Sequence, residues 1–125
     1  MEEYKLWFKK ANDDLRWTKH NIETGEYSGA CFSAQQTTEK ALKAYLLYKE
    51  EHLRKTHDIV RLLEDCIEFD KTFKKLEKLV ETLFPYYATT RYPFDNELFT
   101  FSKERAKGAF DAAKSIIEFV RSKLR

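Results

Sequence analysis

Apolar positions recur along this chain in alternating steps of three and four residues, the period of an α-helix with one buried face. Tyr4, Phe8, Ala11, Leu15, Thr18 and Ile22 trace such a face over about six turns, and Gly25 closes it. Tyr27, Ala30, Ala34, Thr37, Ala41, Ala44 and Tyr48 trace a second, widened by Cys31, Phe32, Leu42, Tyr45 and Leu46. A stripe that broad, with alanines along its centre, suits a central helix with close neighbours on two sides. The pattern breaks between Arg54 and Asp58, where Thr56 is the expected N-cap of a short helix carrying Ile59, Leu62, Leu63 and Cys66. Asp70 is placed to cap the next helix, in which Phe73, Leu76, Val80, Leu83 and Tyr87 face inward; Pro85 should kink or stop it near Phe84. A last helix runs from about Ser102, with Ala106, Ala109, Ala113, Ile116 and Val120 inward and Arg121, Lys123 and Arg125 near its C-terminal dipole. Four long helices and one short one predict an all-α, antiparallel up-and-down bundle, a single domain over residues 1–125.

Composition agrees. Three glycines, two prolines and few Val or Ile residues leave little material for turns and strands. Charged residues make up 35% of the chain, rich in Lys and Glu, which suits solvated helices and is thermophile-like. The formal charge is only +2, so any nucleic-acid contact must come from a local patch. The longest stretch free of charged residues, Tyr27 to Thr38, has twelve residues. That is far short of the ~20 that span a bilayer, so a cytoplasmic protein with no membrane segment is expected. Cys31 and Cys66 fall on apolar positions and read as buried thiols.

The exception to short links is the stretch after Pro85. Seven of the nineteen aromatic residues lie among the eighteen residues from Phe84 to Phe101. Such density points to packing against the bundle or a second subunit, with Tyr92 and Phe94, together with Gln35 and Gln36, as interface candidates. The three histidines, His20, His52 and His57, show no helical metal-ligand spacing, and no glycine-rich phosphate loop or nucleophile elbow is present. No metal and no cofactor is therefore expected. Three polar clusters remain. On the second helix, Gln35, Gln36, Glu39, Lys40 and Lys43 include a Glu39–Lys43 pair at i, i+4, of the kind that usually solvates a helix surface. Arg54 to Asp58 sits at a helix start, where capping is the simplest role. Arg91, amid aromatics, suits ring stacking, a carboxylate or a phosphate.

Several segments in order along the chain resemble the HEPN domain family (higher eukaryotes and prokaryotes nucleotide-binding). They are Trp7 with Ala11, Asp14 and Leu15; Gln36-Thr37-Thr38-Glu39-Lys40-Ala41-Leu42-Lys43-Ala44; Thr56-His57-Asp58 before Leu62-Leu63; and Arg91-Tyr92-Pro93 before an Ala-rich last helix. The resemblance covers almost the whole chain. It implies a helical bundle that pairs as a homodimer, association with a separately encoded minimal nucleotidyltransferase in toxin–antitoxin or defence systems, and nucleotide or RNA binding or metal-independent ribonuclease activity. The family's ribonuclease signature, an arginine followed four to six residues later by a histidine, is incomplete. Arg91 is the arginine best placed to match, and no histidine follows it. Catalysis would then need Arg91 for phosphate and a tyrosine, Asp95 or a spatially close His57 for protons. The expected nucleotide or RNA site comprises Arg91, Tyr92, His57, Lys40 and Lys43. A purely structural dimerisation module is the alternative.

Overall fold

The first helix, α1 (Glu3–Glu23), ends where Gly25 turns to φ 81, a left-handed conformation that favours glycine, and its amide returns to the Ile22 carbonyl at 3.2 Å. The computed structural model describes residues 2–50, 52–91 and 101–125. The three-residue link after α1 folds α2 (Tyr27–Glu50) back against it. The two helices approach closely through Ala11, Ala30 and Ala34, all fully buried. At Gly29 a Cβ would come within 3.2 Å of the Asn21 amide, so the approach there depends on the missing side chain.

As the width of its stripe predicts, α2 is the central element, flanked by α1, α3 (Ile59–Phe69) and the last helix, α6 (Lys103–Lys123). Ala106, Ala109, Ala113, Ile116 and Val120 of α6 are buried as expected, joined by Ala112 and Ile117. Ser102 caps this helix by accepting the Arg105 amide at 3.1 Å. Cys31 and Cys66 are free and buried, and burial pushes the Cys31 thiol up to about 11, where it remains a neutral thiol at neutral pH. No described helix is long and apolar enough to cross a membrane.

Two local expectations change. The cap of α3 is Asp58, whose carboxylate accepts the Val60 and Arg61 amides at 3.0 and 3.1 Å; Thr56 instead accepts the Asp58 amide at 3.0 Å. The helix starts later than expected because His57 is held outside it by contacts with α2. The fourth helical segment is realised in pieces: a 3-10 turn over Lys71–Leu76, capped by Asp70 as expected, then α4 (Glu77–Leu83) and the single turn α5 (Tyr86–Thr89). The break falls at Phe84–Pro85, where proline cannot continue the amide ladder. It advances the register by one residue, so Tyr86 is buried and Tyr87 is left half-buried.

Phe73 is the aromatic keystone of the core, fully buried, 4.4 Å from the Tyr45 ring and 5.0 Å from the Phe119 ring. Phe73→Ala should cost roughly 3–5 kcal/mol in urea unfolding, because it empties a site bounded by three elements. Asp70 also ties the 3-10 turn to the C-terminus through Lys123 at 2.8 Å. Hydrogen bonds from Lys123 and then Thr72 hold its carboxyl down at about 2, below the ordinary 3.8. A carboxyl depressed by folding stabilises above its unfolded value, and that contribution is lost as pH falls through the folded one. The stability difference between the parent and Asp70→Asn should therefore be full above about pH 4 and shrink toward pH 2, as read by urea midpoints.

Candidate functional site

On the side of α2 that faces the α2–α3 loop, an apolar position is replaced by a carboxylate. Glu39 is 3% exposed, and Lys43, one turn on, is 5% exposed. They are not a solvating surface pair: the Lys43 ammonium donates to Glu39 Oε2 at 2.9 Å inside the protein and lies 5.4 Å from the Trp7 ring centre. Gln36 donates to Glu39 Oε1 at 3.3 Å and to the Gln35 side-chain oxygen at 2.7 Å. A buried carboxylate needs several such partners, since desolvating it alone costs many kcal/mol.

The remaining partner comes from the loop. His57 Nδ1 sits 3.1 and 3.2 Å from the two Glu39 oxygens. An ionised carboxylate only accepts, so Nδ1 donates, and Nε2 is left as the open nitrogen. Gln35 grips the same residue by its backbone, donating to the His57 carbonyl at 3.3 Å. Loop position and ring orientation are thus both set from α2, although the His57 side chain is 57% exposed.

The exposed ring does not stand alone. It stacks on Tyr87 with centroids 4.8 Å apart and planes at 16°. The Arg91 guanidinium lies 4.9 Å from that same Tyr87 ring and 5.9 Å from Phe32 of α2. Arg91 is held at the end of α5 by its backbone N–H, which donates to the Ala88 carbonyl at 3.0 Å, while the Thr89 hydroxyl donates to the Pro85 carbonyl at 3.0 Å. Arg91 forms no ion pair among the described residues, so its charge is uncompensated there. Tyr87 is the plate that brings the guanidinium and an oriented imidazole together.

Other expected site residues fall differently. Lys40 pairs with Asp14 of α1 at the rim of the same seam, and Lys43 is committed to Glu39; both are held by carboxylates of this chain instead of standing free. Gln35, expected at an interface, is wholly buried in this chain and bonded to the loop at the His57 carbonyl; Gln36 is partly exposed. Tyr92, Phe94 and Asp95 lie outside the described residues. Glu39, Tyr87, Phe32 and Trp7 were not singled out as site residues by sequence reasoning. Glu39 carried a signal that was open to reading, because it follows two glutamines on a helix face otherwise lined by buried residues. Among the described residues no three metal-ligating side chains converge. The arrangement can hold an anion at Arg91 and present a base or acid at His57 Nε2 beside an aromatic surface.

A HEPN domain model matches residues 4–123 of the chain. A candidate toxin of Methanocaldococcus jannaschii, MJ1304, is 28% identical, with 97% of this chain and 88% of that protein covered. The crystal structure of TT1696 from Thermus thermophilus superposes with a TM-score of 0.88 at 31% identity, covering 99% of this chain and 100% of that one. A HEPN domain protein from Thermotoga maritima gives 0.74 at 26% identity over 93% and 94% of the two chains. ST0689, an archaeal HEPN homologue, gives 0.80 at 23% identity over the whole of both chains and shares the fold.

Lys43→Met leaves the Glu39 carboxylate buried with only a solvent-facing imidazole as a potential counter-charge. It should destabilise by about 3–5 kcal/mol in urea unfolding, whereas Glu39→Leu combined with Lys43→Met should recover most of that loss. Additive losses in the double variant would show that the pair is not coupled.

Proposed function

This chain belongs to the HEPN domain family, and on that premise we propose that it is a nucleotide- or RNA-binding protein whose anion site is Arg91 and His57 on the Tyr87 plate. The observation that supports this most directly is the Arg91 guanidinium, without an ion pair among the described residues, lying over the ring that His57 also uses. Guanidinium forks pair with phosphate oxygens in bidentate fashion. Lys40 and Lys43 act from behind, keeping Asp14 and Glu39 neutralised so that the seam does not repel an anion. The resemblance to a candidate toxin supports a place in a two-component system. In that reading the chain works in the cytoplasm as a homodimer and is restrained by a separately encoded minimal nucleotidyltransferase. Tyr92 and Phe94 contribute to the site or to the dimer interface.

A second reading has its own observation. The buried Glu39 carboxylate fixes the His57 tautomer and leaves Nε2 open, an arrangement suited to an imidazole that moves protons. As a ribonuclease, His57 Nε2 would take the 2′-hydroxyl proton while the 2′-oxygen bonds to phosphorus. The 5′-oxygen would leave as the P–O bond breaks, taking a proton from the imidazolium, with Arg91 stabilising the charged phosphorane. His57 thus stands in for the histidine missing from the usual spacing.

Titration with ATP and with a short single-stranded RNA at low salt tests the binding reading. Arg91→Ala should weaken both by roughly ten- to a hundred-fold, the loss of about 1.5–3 kcal/mol for a charged hydrogen bond. Unchanged affinity would remove the assignment. Incubation with RNA in EDTA tests the second reading, which predicts cleavage that stops in His57→Ala and slows in Glu39→Gln.

A further inference from the structure

We propose that the outward face of α1 pairs with the same face of a second copy of this chain, antiparallel about a two-fold axis at the level of Ala11 and Asn12. This surface shares no residue with the Arg91 and His57 site or with the interface expected at Tyr92 and Phe94. Glu3, Leu6, Lys10, Asp13, Trp17 and His20 follow one another along α1 in steps of three and four, the spacing of a seam between paired helices, over nearly all of its 21 residues. Ala11, Leu15 and Ile22 point the other way, into the bundle. Leu6 and Trp17, at 51% and 58%, are the most exposed large hydrophobics among the described residues. Singly exposed apolar side chains are ordinary, but these two stand at equal distances on either side of the axis.

The stripe is complementary to itself in one register. In an antiparallel pair, residues equally distant from the axis meet, and each contact occurs twice. Leu6 then faces the partner's Trp17, Lys10 the partner's Asp13, and Glu3 the partner's His20. Apolar meets apolar, and each carboxylate meets a lysine or an imidazole. Other arrangements lose this match. A parallel pair sets Lys10 on Lys10 and Asp13 on Asp13, while an antiparallel slip of one heptad sets Glu3 against Asp13 in one direction and Asp13 against Trp17 in the other. The charged central layers thus fix the register, and the flanking Leu6 and Trp17 layers bury apolar surface.

The receiving surface is already shaped. Lys10, Asp13, Arg16, Trp17 and His20 line an open concavity of ≈ 420 Å³. Asp13, Arg16, Trp17 and His20 stand at i, i+3, i+4 and i+7, the four corners of one hole in a helix pair, and the partner's Leu6 is the knob that enters it. The indole is braced from within its own helix, since the His20 ring packs edge-on against it with centroids 5.6 Å apart and planes at 78°. Lys10 has no ion pair among the described residues. Asp13 is bonded by Arg16 through Oδ1, from a side chain 74% exposed, which leaves Oδ2 for the partner's Lys10. Where the homodimer of the proposed function also forms, this contact joins two dimers into a tetramer.

Sedimentation equilibrium of the full chain over a concentration series at low salt tests the pairing. Lys10→Asp and Asp13→Lys each set like charges opposite one another in both central layers. Each should weaken self-association by roughly ten-fold or more and halve the mass at concentrations where the parent is assembled. Mixing the two variants in equal amounts should restore the parent mass, because one copy then carries acids at both positions and the other lysines. A loss caused by misfolding is not repaired by mixing, so the mixture separates pairing from stability. Parent mass in either variant alone, two weakened variants that stay apart when mixed, or a parent chain that stays at the mass of one copy throughout the series overturns the proposal. None of these outcomes bears on ATP or RNA titration at Arg91, which uses residues that α1 does not supply.

Discussion

A carboxylate inside a helical bundle is the constraint from which the rest of this structure follows. Glu39 sits on the most buried helix of the chain, where an unpartnered charge is not tolerated. Lys43 supplies the counter-charge from the next turn and Gln36 a donor from the previous one, but those two are local and would form on any helix with this spacing. The third partner, His57, must come from outside the helix. Satisfying Glu39 therefore dictates where the α2–α3 loop runs, why α3 cannot begin before Asp58, and which nitrogen of His57 faces solvent.

The second constraint is steric and lies at Pro85. An unbroken helix carrying Phe73, Leu76, Val80 and Leu83 inward would have placed Tyr87 on the same face, in the core. Breaking it one turn earlier puts Tyr86 there, at 3% exposure, and rotates Tyr87 out to meet the ring that Glu39 has positioned. Two independent features, a buried charge on α2 and a proline between α4 and α5, thus converge on one stacked pair. Arg91 joins it because α5 lasts a single turn and delivers the guanidinium just past the ring.

This history explains what could be read from the sequence. Helix positions were legible because they depend on a local period, and Ala30, Ala34 and Ala41 on α2 or Ala106, Ala109 and Ala113 on α6 leave no other face to bury. The candidate residues Arg91 and His57 were legible as unusual chemistry in a chain of nearly neutral charge. Their common plate was not, because choosing Tyr87 over Tyr86 requires knowing how far Pro85 shifts the register. Nor was the burial of Glu39 and Lys43, since an i, i+4 pair has the same spacing on a wet face as in a dry seam. Only its neighbours across space, Trp7 at one end and His57 at the other, distinguish the two.

In the proposed ribonuclease reading, the absence of a histidine shortly after Arg91 weighs less than spacing suggests. A short arginine-to-histidine interval serves to place a cation and an imidazole near one phosphate, and any topology that does so meets the same physical need. Here the imidazole arrives from thirty-four residues earlier in the chain, anchored by Glu39 and Gln35 and laid on the ring beside which Arg91 rests. The histidine of this site is held by a buried carboxylate at Nδ1 and by its own carbonyl, so its orientation does not depend on the segment that follows Arg91. In this chain α5 places the guanidinium and α2 places the imidazole, and the two side chains meet at Tyr87.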